Sequence, residues 1–323
     1  MDAGQGKAKR VLVLSGGGGR GAYHVGVLEY LEEVGWRPEI IIGSSVGAVN
    51  AAALGSGVGV RGLKSRWRDL KTDDVQKMRA DDVLLDNVLR RRDHIFDLWP
   101  WPLTLTGENE KWQGRAWFRP GVINDPGSPY EVYVTAVNTR TAQLEYFSNR
   151  DPGGLCLEHI LASFSIPLWY GPTEVDGVPY WDGGTLANTP FRKALELGGT
   201  EIVVATMIPW PERPLHDSER PGYITHIEHE LLIIAQDLWN AFEPALDAML
   251  TETVWRDYLL YKAEQEAGHY AGLDWLEIVA PNRYLTVGLM THYQLEYHEH
   301  LFELGYWDAR NDLAAVLPLP EEG

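Results

Sequence analysis

Twice near the N-terminus, a short apolar run breaks into glycine and is followed at once by a helical pattern. Residues 11–14, VLVL, run into Gly16-Gly17-Gly18-Gly19-Arg20-Gly21. From Ala22 onward Val25, Leu28 and Leu31 recur at helical spacing, Glu29, Glu32 and Glu33 mark a wet face, and Gly35 supplies the stop. Residues 40–42, III, end at Gly43, and the alanine-rich stretch 44–54 reads as a second helix closed by Gly55. This repeated strand, glycine turn and helix requires a parallel sheet with helices on its faces, because a parallel crossover must carry a helix back over the sheet.

The remaining chain extends that α/β pattern. Residues 63–92 are predicted to be helical in pieces, with Arg90, Arg91 and Arg92 near an end where the helix dipole favours cations. With Lys64, Arg66 and Arg68, these arginines have a second reading as contacts to anionic head groups. Residues 94–130 carry Trp99, Pro100, Trp101, Pro102, Trp112, Trp117 and Pro120 without periodicity and read as a long loop or lid. Trp99 and Trp101 are its candidates for touching a lipid surface, with filling the core as their alternative role. The segment EVYVTAVNTRTAQLEYF alternates as two strands joined around residues 138–141, and residues 201–207 and 275–280 add further strands. Residues 226–266 are predicted helical, with an interruption at Pro244, and residues 318–323 read as a frayed tail. The expected organisation is a tail over 1–10, a core over 11–200, and a strand with a helical extension over 201–323 packed on the same domain.

Composition narrows the function. The chain has 323 residues, 45% of them hydrophobic and 23% charged, enough apolar surface for one large core. Its net charge of −18 argues against nucleic acid as a partner, since phosphate binding needs a basic face. Cys156 is the single cysteine, so neither an intrachain disulfide nor a cysteine zinc site is available, and a reducing, cytoplasmic setting is expected. The first apolar run is too short for a signal peptide and no run is long enough to span a bilayer, which leaves peripheral membrane contact as the kind to consider. A homo-oligomer stays open, with nothing in the sequence indicating one.

Each of the two glycine turns has chemical potential. The first could hold an anion at a helix start. A nucleotide P-loop would need lysine and then serine or threonine after the last glycine, but Ala22 and Tyr23 stand there. Gly16, Gly18 and Gly21 fit the spacing of a dinucleotide fingerprint, yet the acid expected at the end of the second strand is replaced by Gly43-Ser44-Ser45. An oxyanion hole is the third reading, since bare glycine backbone lets a developing alkoxide approach closely. The second turn, Gly43-Ser44-Ser45-Val46-Gly47, has the Gly-x-Ser-x-Gly form of a nucleophile elbow with Ser45 at its apex. Ser44 is expected to cap the following helix. No histidine falls in a frame that identifies it as the partner base: His24 is expected to pack or lie half exposed, while His292, His298 and His300 are expected to face water.

Taken together, GGGGRG, GSSVG and YWDGGTLANTP resemble the patatin-like phospholipase family from about Val11 to Phe191. Asn188, Pro190 and the segment Ala162-Ser163-Phe164-Ser165-Ile166-Pro167 continue the resemblance. It implies a three-layer α/β/α fold with a mainly parallel sheet and a helical C-terminal extension. It also implies a Ser-Asp dyad without histidine: Ser45 as nucleophile and Asp182, in the Gly183-Gly184 turn, as base. The backbone of Gly17, Gly18 and Gly19, with Val46, would form the oxyanion hole and Arg20 would brace it. The implied substrates are lipid acyl esters, of the phospholipase A or lysophospholipase type, with no metal and no cofactor. Acyl transfer or thioester cleavage by the same dyad, and a catalytically idle lipid-binding protein, are the alternatives.

Overall fold

Continuous apolar strands must be covered on both faces, and alternate side chains of the central strands enter two separate cores. A computed structural model of the chain describes residues 8–78, 94, 96–213, 230–285 and 293–320, with 230–247 as backbone only. The strands are β1 (Arg10–Leu14), β2 (Ile40–Gly43), β3 (Lys77–Met78), β4 (Phe96–Asp97), β5 (Glu131–Asn138), β6 (Gln143–Ser148), β7 (Thr173–Val175), β8 (Val178–Asp182), β9 (Glu201–Ala205) and β10 (Trp275–Val279). The helices are α1 (Tyr23–Glu33), α2 (Val46–Gly55), α3 (Gly59–Asp69), α4 (Thr72–Val75), α5 (Pro100–Thr106), α6 (Pro120–Ile123), α7 (Leu157–Phe164), α8 (Gly184–Ala187), α9 (Phe191–Glu196), α10 (Glu230–Glu266) and α11 (Leu295–Asp312).

The main sheet runs β10-β9-β1-β2-β5-β8-β7, with β6 on the other edge of β5. From β10 to β5 every pairing is parallel, and the antiparallel pairings involve β5 to β8. Leu12, Leu14, Ile41 and Val203 pack into one core with residues of α1, α2, α3 and α11. Val11, Val13, Ile40, Ile42, Ile202 and Val204 pack into a second core with Phe191 and Ala194 of α9 and Val254 and Tyr261 of α10. The fold is therefore a three-layer α/β/α sandwich with a mainly parallel sheet, as expected. The chain after residue 200 supplies two strands of this sheet and a helix to each covering layer.

Several local expectations are corrected. The helix over Glu230–Glu266 continues through Pro244 without the expected break. Residues 94–130 are no structureless lid: they form β4, α5 and α6, and the buried Trp117 ring contacts those of buried Trp101 and Trp112. Within 63–92, α3 and α4 are followed by β3, which pairs antiparallel with β4, while Arg90, Arg91 and Arg92 lie outside the described residues. Lys64 bonds Glu29, Arg68 bonds Glu299, and Arg66 donates to the carbonyls of Gly62, Arg115 and Ala116, so these cations are engaged within the protein. The described start of the tail, residues 318–320, is held where fraying was expected: Leu319 packs on the core just after Leu317, whose carbonyl accepts from Tyr30, while residues 321–323 lie outside the described residues.

Candidate active site

The turn after β2 is built by close backbone approach. A Cβ on Gly47 would collide with the carbonyl of Leu14 at the end of β1, and one on Gly43 would collide with Gly47 itself. Only glycine lets α2 start this close to two strand ends. Between them Ser45 adopts φ 55° and ψ −126°, a left-handed conformation uncommon outside glycine and costly by about 1–3 kcal/mol. Its amide donates to Ser163 Oγ at 3.0 Å, and its Oγ is buried without a hydrogen-bond partner. Ser44 does not cap α2 as expected. The residue flanking α2 is Ser45, and the Ser44 hydroxyl instead accepts from Thr135 Oγ1 at 2.9 Å.

The sheet register brings a distant carboxyl to this turn. β6 occupies one edge of β5 from Tyr133 to Asn138, so β2 and β8 must share the other edge. β2 pairs there as far as Gly43 against Val134, and β8, running the opposite way, ends with Asp182 against Ala136. Two strands thus meet end to end, with Thr135 between their last pairs. Gly183 packs directly on Thr135, where a Cβ would clash. The Asp182 amide donates to the Ser165 carbonyl at 2.9 Å, and its Oδ1 accepts from the Gly184 amide at 2.7 Å. Burial drives the Asp182 pKa up from 3.8 to about 7, partly offset by the Ser45 hydroxyl and the Gly184 amide. The Ser45 hydroxyl is near enough to act on this carboxyl, although Asp182 Oδ2 and Ser45 Oγ fall short of a hydrogen bond and both stay buried and unpartnered.

The first glycine loop lies against the Ser45 turn and against Asn188, six residues after Asp182. Gly16 donates to the Asn188 carbonyl at 2.9 Å, Asn188 Nδ2 returns a bond to the Gly16 carbonyl at 3.4 Å, and a Cβ on Gly16 would stand 3.0 Å from Ser45 Cβ. Gly18 is left-handed at φ 56° and opens a 3₁₀ turn over Gly18–Ala22. The first amides of such a turn have no acceptor within it, which leaves those of Gly18 and Gly19 to serve something outside. Val46 opens α2 in the same way. Arg20 is buried, with Nη1 donating to the Leu285 carbonyl at 3.1 Å and Nε reaching the Gly17 carbonyl at 3.4 Å. Gly21 is tied to the elbow helix by Asn50 Nδ2, which donates to its carbonyl at 3.0 Å.

Among the described residues, no histidine bonds Ser45 Oγ or either Asp182 carboxyl oxygen. His24 is fully buried beside Asn50, and burial pushes its pKa down to about 3. His298, expected to face water, is fully buried with Nδ1 donating to the Trp67 carbonyl, and burial pushes its pKa down to about 4. His159 contacts Cys156 and stacks on Phe147. His300 is exposed, and His292 lies outside the described residues. Among the described residues no group of three His, Cys, Asp or Glu side chains is placed to hold a metal ion. Sequence reasoning gave no role to Thr135 or Asn50, and it passed Ser163 over as one small residue in a segment leading to a proline.

A glycine-flanked serine turn and a buried aspartate thus lie together at the carboxyl ends of strands in a three-layer α/β/α sandwich. Residues 12–195, more than half of the chain, match the model of the patatin-like phospholipase family, and the chain belongs to that family. It is similar to a lysophospholipase of Emericella nidulans, 24% identical over 237 residues that cover 72% of this chain and 13% of that protein. It is also similar to one of Saccharomyces cerevisiae, 26% identical over 190 residues covering 56% and 10%. The chain therefore matches only a small part of these much longer relatives. Among solved structures it resembles VipD from Legionella pneumophila, with TM-score 0.48, 16% identity, and coverage of 98% of this chain and 69% of that one. It also resembles the type III effector ExoU, with TM-score 0.40, 14% identity, and coverage of 94% and 52%.

Proposed function

We propose that this chain hydrolyses lipid acyl esters, as a phospholipase A or lysophospholipase, through Ser45 and Asp182. The observation that carries this reading is a serine held in a strained turn beside a buried carboxyl that forms no ion pair among the described residues and whose pKa burial raises to about 7. In the ionised state Asp182 takes the Ser45 proton as the hydroxyl oxygen attacks the ester carbonyl. The amides of Gly17, Gly18, Gly19 and Val46 receive the negative charge that develops on the carbonyl oxygen, and Arg20 holds the loop from beneath. Asp182 then passes the proton to the departing alcohol. Water, deprotonated by the same carboxylate, attacks the acyl-serine; as the acyl–oxygen bond breaks and the fatty acid leaves, Asp182 returns that proton to Ser45 Oγ. Lipid is the expected partner, met at the membrane periphery. No helix among the described residues is long and apolar enough to cross a bilayer.

Fluorophosphonate labelling followed by peptide mapping tests the assignment without choosing a substrate. The adduct is expected on Ser45, and Ser45→Ala is expected to lose both labelling and esterase activity. An adduct on Ser44, or full turnover by the Ser45→Ala protein, would overturn it.

A further inference from the structure

Two hydrogen bonds link both halves of the proposed dyad to one short segment at the end of α7. Ser163 Oγ accepts from the Ser45 amide at 3.0 Å, and two residues later the Ser165 carbonyl accepts from the Asp182 amide at 2.9 Å. We propose that residues 163–165 form a clamp that sets the spacing of nucleophile and base, with the Ser163 hydroxyl as its positioning group.

The argument starts from the Ser45 backbone. A residue at φ 55° between a strand end and a helix start has its amide in neither the sheet ladder nor the helix ladder. A buried amide still requires an acceptor. Ser163 supplies one from a fully buried side chain, so the bond is not exchanged with bulk water. Ser165 is in turn fixed by its own hydroxyl, which donates to the Leu161 carbonyl and meets Thr173 Oγ1, each at 2.8 Å. The clamp is thus anchored to α7 and β7, and it touches both the elbow and the Asp182 turn. Ala fits the space at 163 but offers no acceptor. Without one, the Ser45 turn is free to relax toward an ordinary conformation and carry Oγ away from the carboxyl, and small misplacements of reacting groups cost about 100-fold.

This inference rests on the proposed dyad, so its test has an arm that does not depend on catalysis. In Ser163→Ala, amide hydrogen exchange at Ser45 should accelerate. On a soluble short-chain ester, kcat should fall about 10- to 100-fold with KM little changed, and fluorophosphonate labelling should slow in step. Ser163→Cys, close in size and a weaker acceptor, should lie between, and serves also if the alanine protein folds poorly. Thr104→Val removes a comparable bond, that of buried Thr104 Oγ1 to the Asp74 carbonyl, and should lower the melting temperature without changing kcat. Unchanged exchange at Ser45 would overturn the hydrogen bond. Accelerated exchange with kcat intact would overturn the positioning role. A parent protein that exchanges as expected but takes no phosphonate on Ser45 would instead overturn the nucleophile assignment, and the positioning role with it.

Discussion

At the scale of single residues, Asp182 carries an unusual linkage between pH, stability and chemistry. Its pKa is raised from 3.8 to about 7 by burial, so between those values the folded chain keeps a proton that the unfolded chain has released. Stability contributed here is full below about pH 3.8, falls as pH rises through the window, and stays low above pH 7. Asp182→Asn cannot ionise and keeps an acceptor for the Gly184 amide. It should match the parent in melting temperature near pH 3 and exceed it above pH 7, by a free energy on the order of 4 kcal/mol at most. Its turnover should fall about 10²–10⁴-fold. In the parent, activity should decline tenfold per unit as pH drops below about 7, since only the carboxylate accepts a proton. An aspartate base would otherwise be expected to sustain activity to lower pH than a histidine; burial removes that advantage. An Asn variant no more stable than the parent at pH 8 would mean that the carboxyl is better solvated than its surroundings indicate. The motif serine and aspartate were legible because glycine spacing is local. The raised pKa was not, because it comes from segments far apart in sequence.

Among the elements, the helix pair α1 and α11 shows what motif reading passes over. A Cβ on Gly26 would meet the Phe302 carbonyl, and one on Gly305 would meet the Tyr23 carbonyl, so two helices distant in sequence touch backbone to backbone. Tyr23 also donates to Asp308 Oδ2 at 3.0 Å across the same contact. Gly26→Ala should therefore destabilise the fold by about 1–3 kcal/mol, read as a lower denaturation midpoint, although alanine is the better helix former. Strands and glycine turns were readable because their apolar runs are continuous. The docking of α11 was not, since its amphipathic pattern does not name the surface it covers, and for the same reason His298 was misplaced. Trp99 and Trp101 divide the aromatic segment. Trp101 is 1% exposed and ring-packed on Trp117 and Phe164, so Trp101→Ala should cost about 3–5 kcal/mol in any assay of stability. Trp99 is 55% exposed, with the Lys77 ammonium 4.9 Å from its ring centre. Trp99→Ala should leave melting and short-ester hydrolysis unchanged and lower hydrolysis on vesicles. Equal loss on both substrates would remove it from the proposed lipid contact.

For the molecule as a whole, a net charge of −18 opposes approach to an anionic bilayer. Lipid-ester hydrolysis in neutral vesicles should exceed that in anionic ones at low salt. The gap should close as the Debye length shortens from about 30 Å at 0.01 M to about 8 Å at 0.15 M. Equal rates at low salt would mean that a local basic surface outweighs the total. The end-to-end meeting of β2 and β8 on β5 has a further consequence, for biosynthesis. The serine turn follows β2 directly, but Asp182 lies 139 positions after Gly43 and takes its place beside that turn only once β5 and β8 have paired. Contacts this far apart form late and slowly. On the proposed chemistry a partly synthesised chain is a latent enzyme, carrying its nucleophile without a base. Hydrolytic competence would then wait for β8 to pair with β5, sparing the cell's own lipids from a partly folded chain.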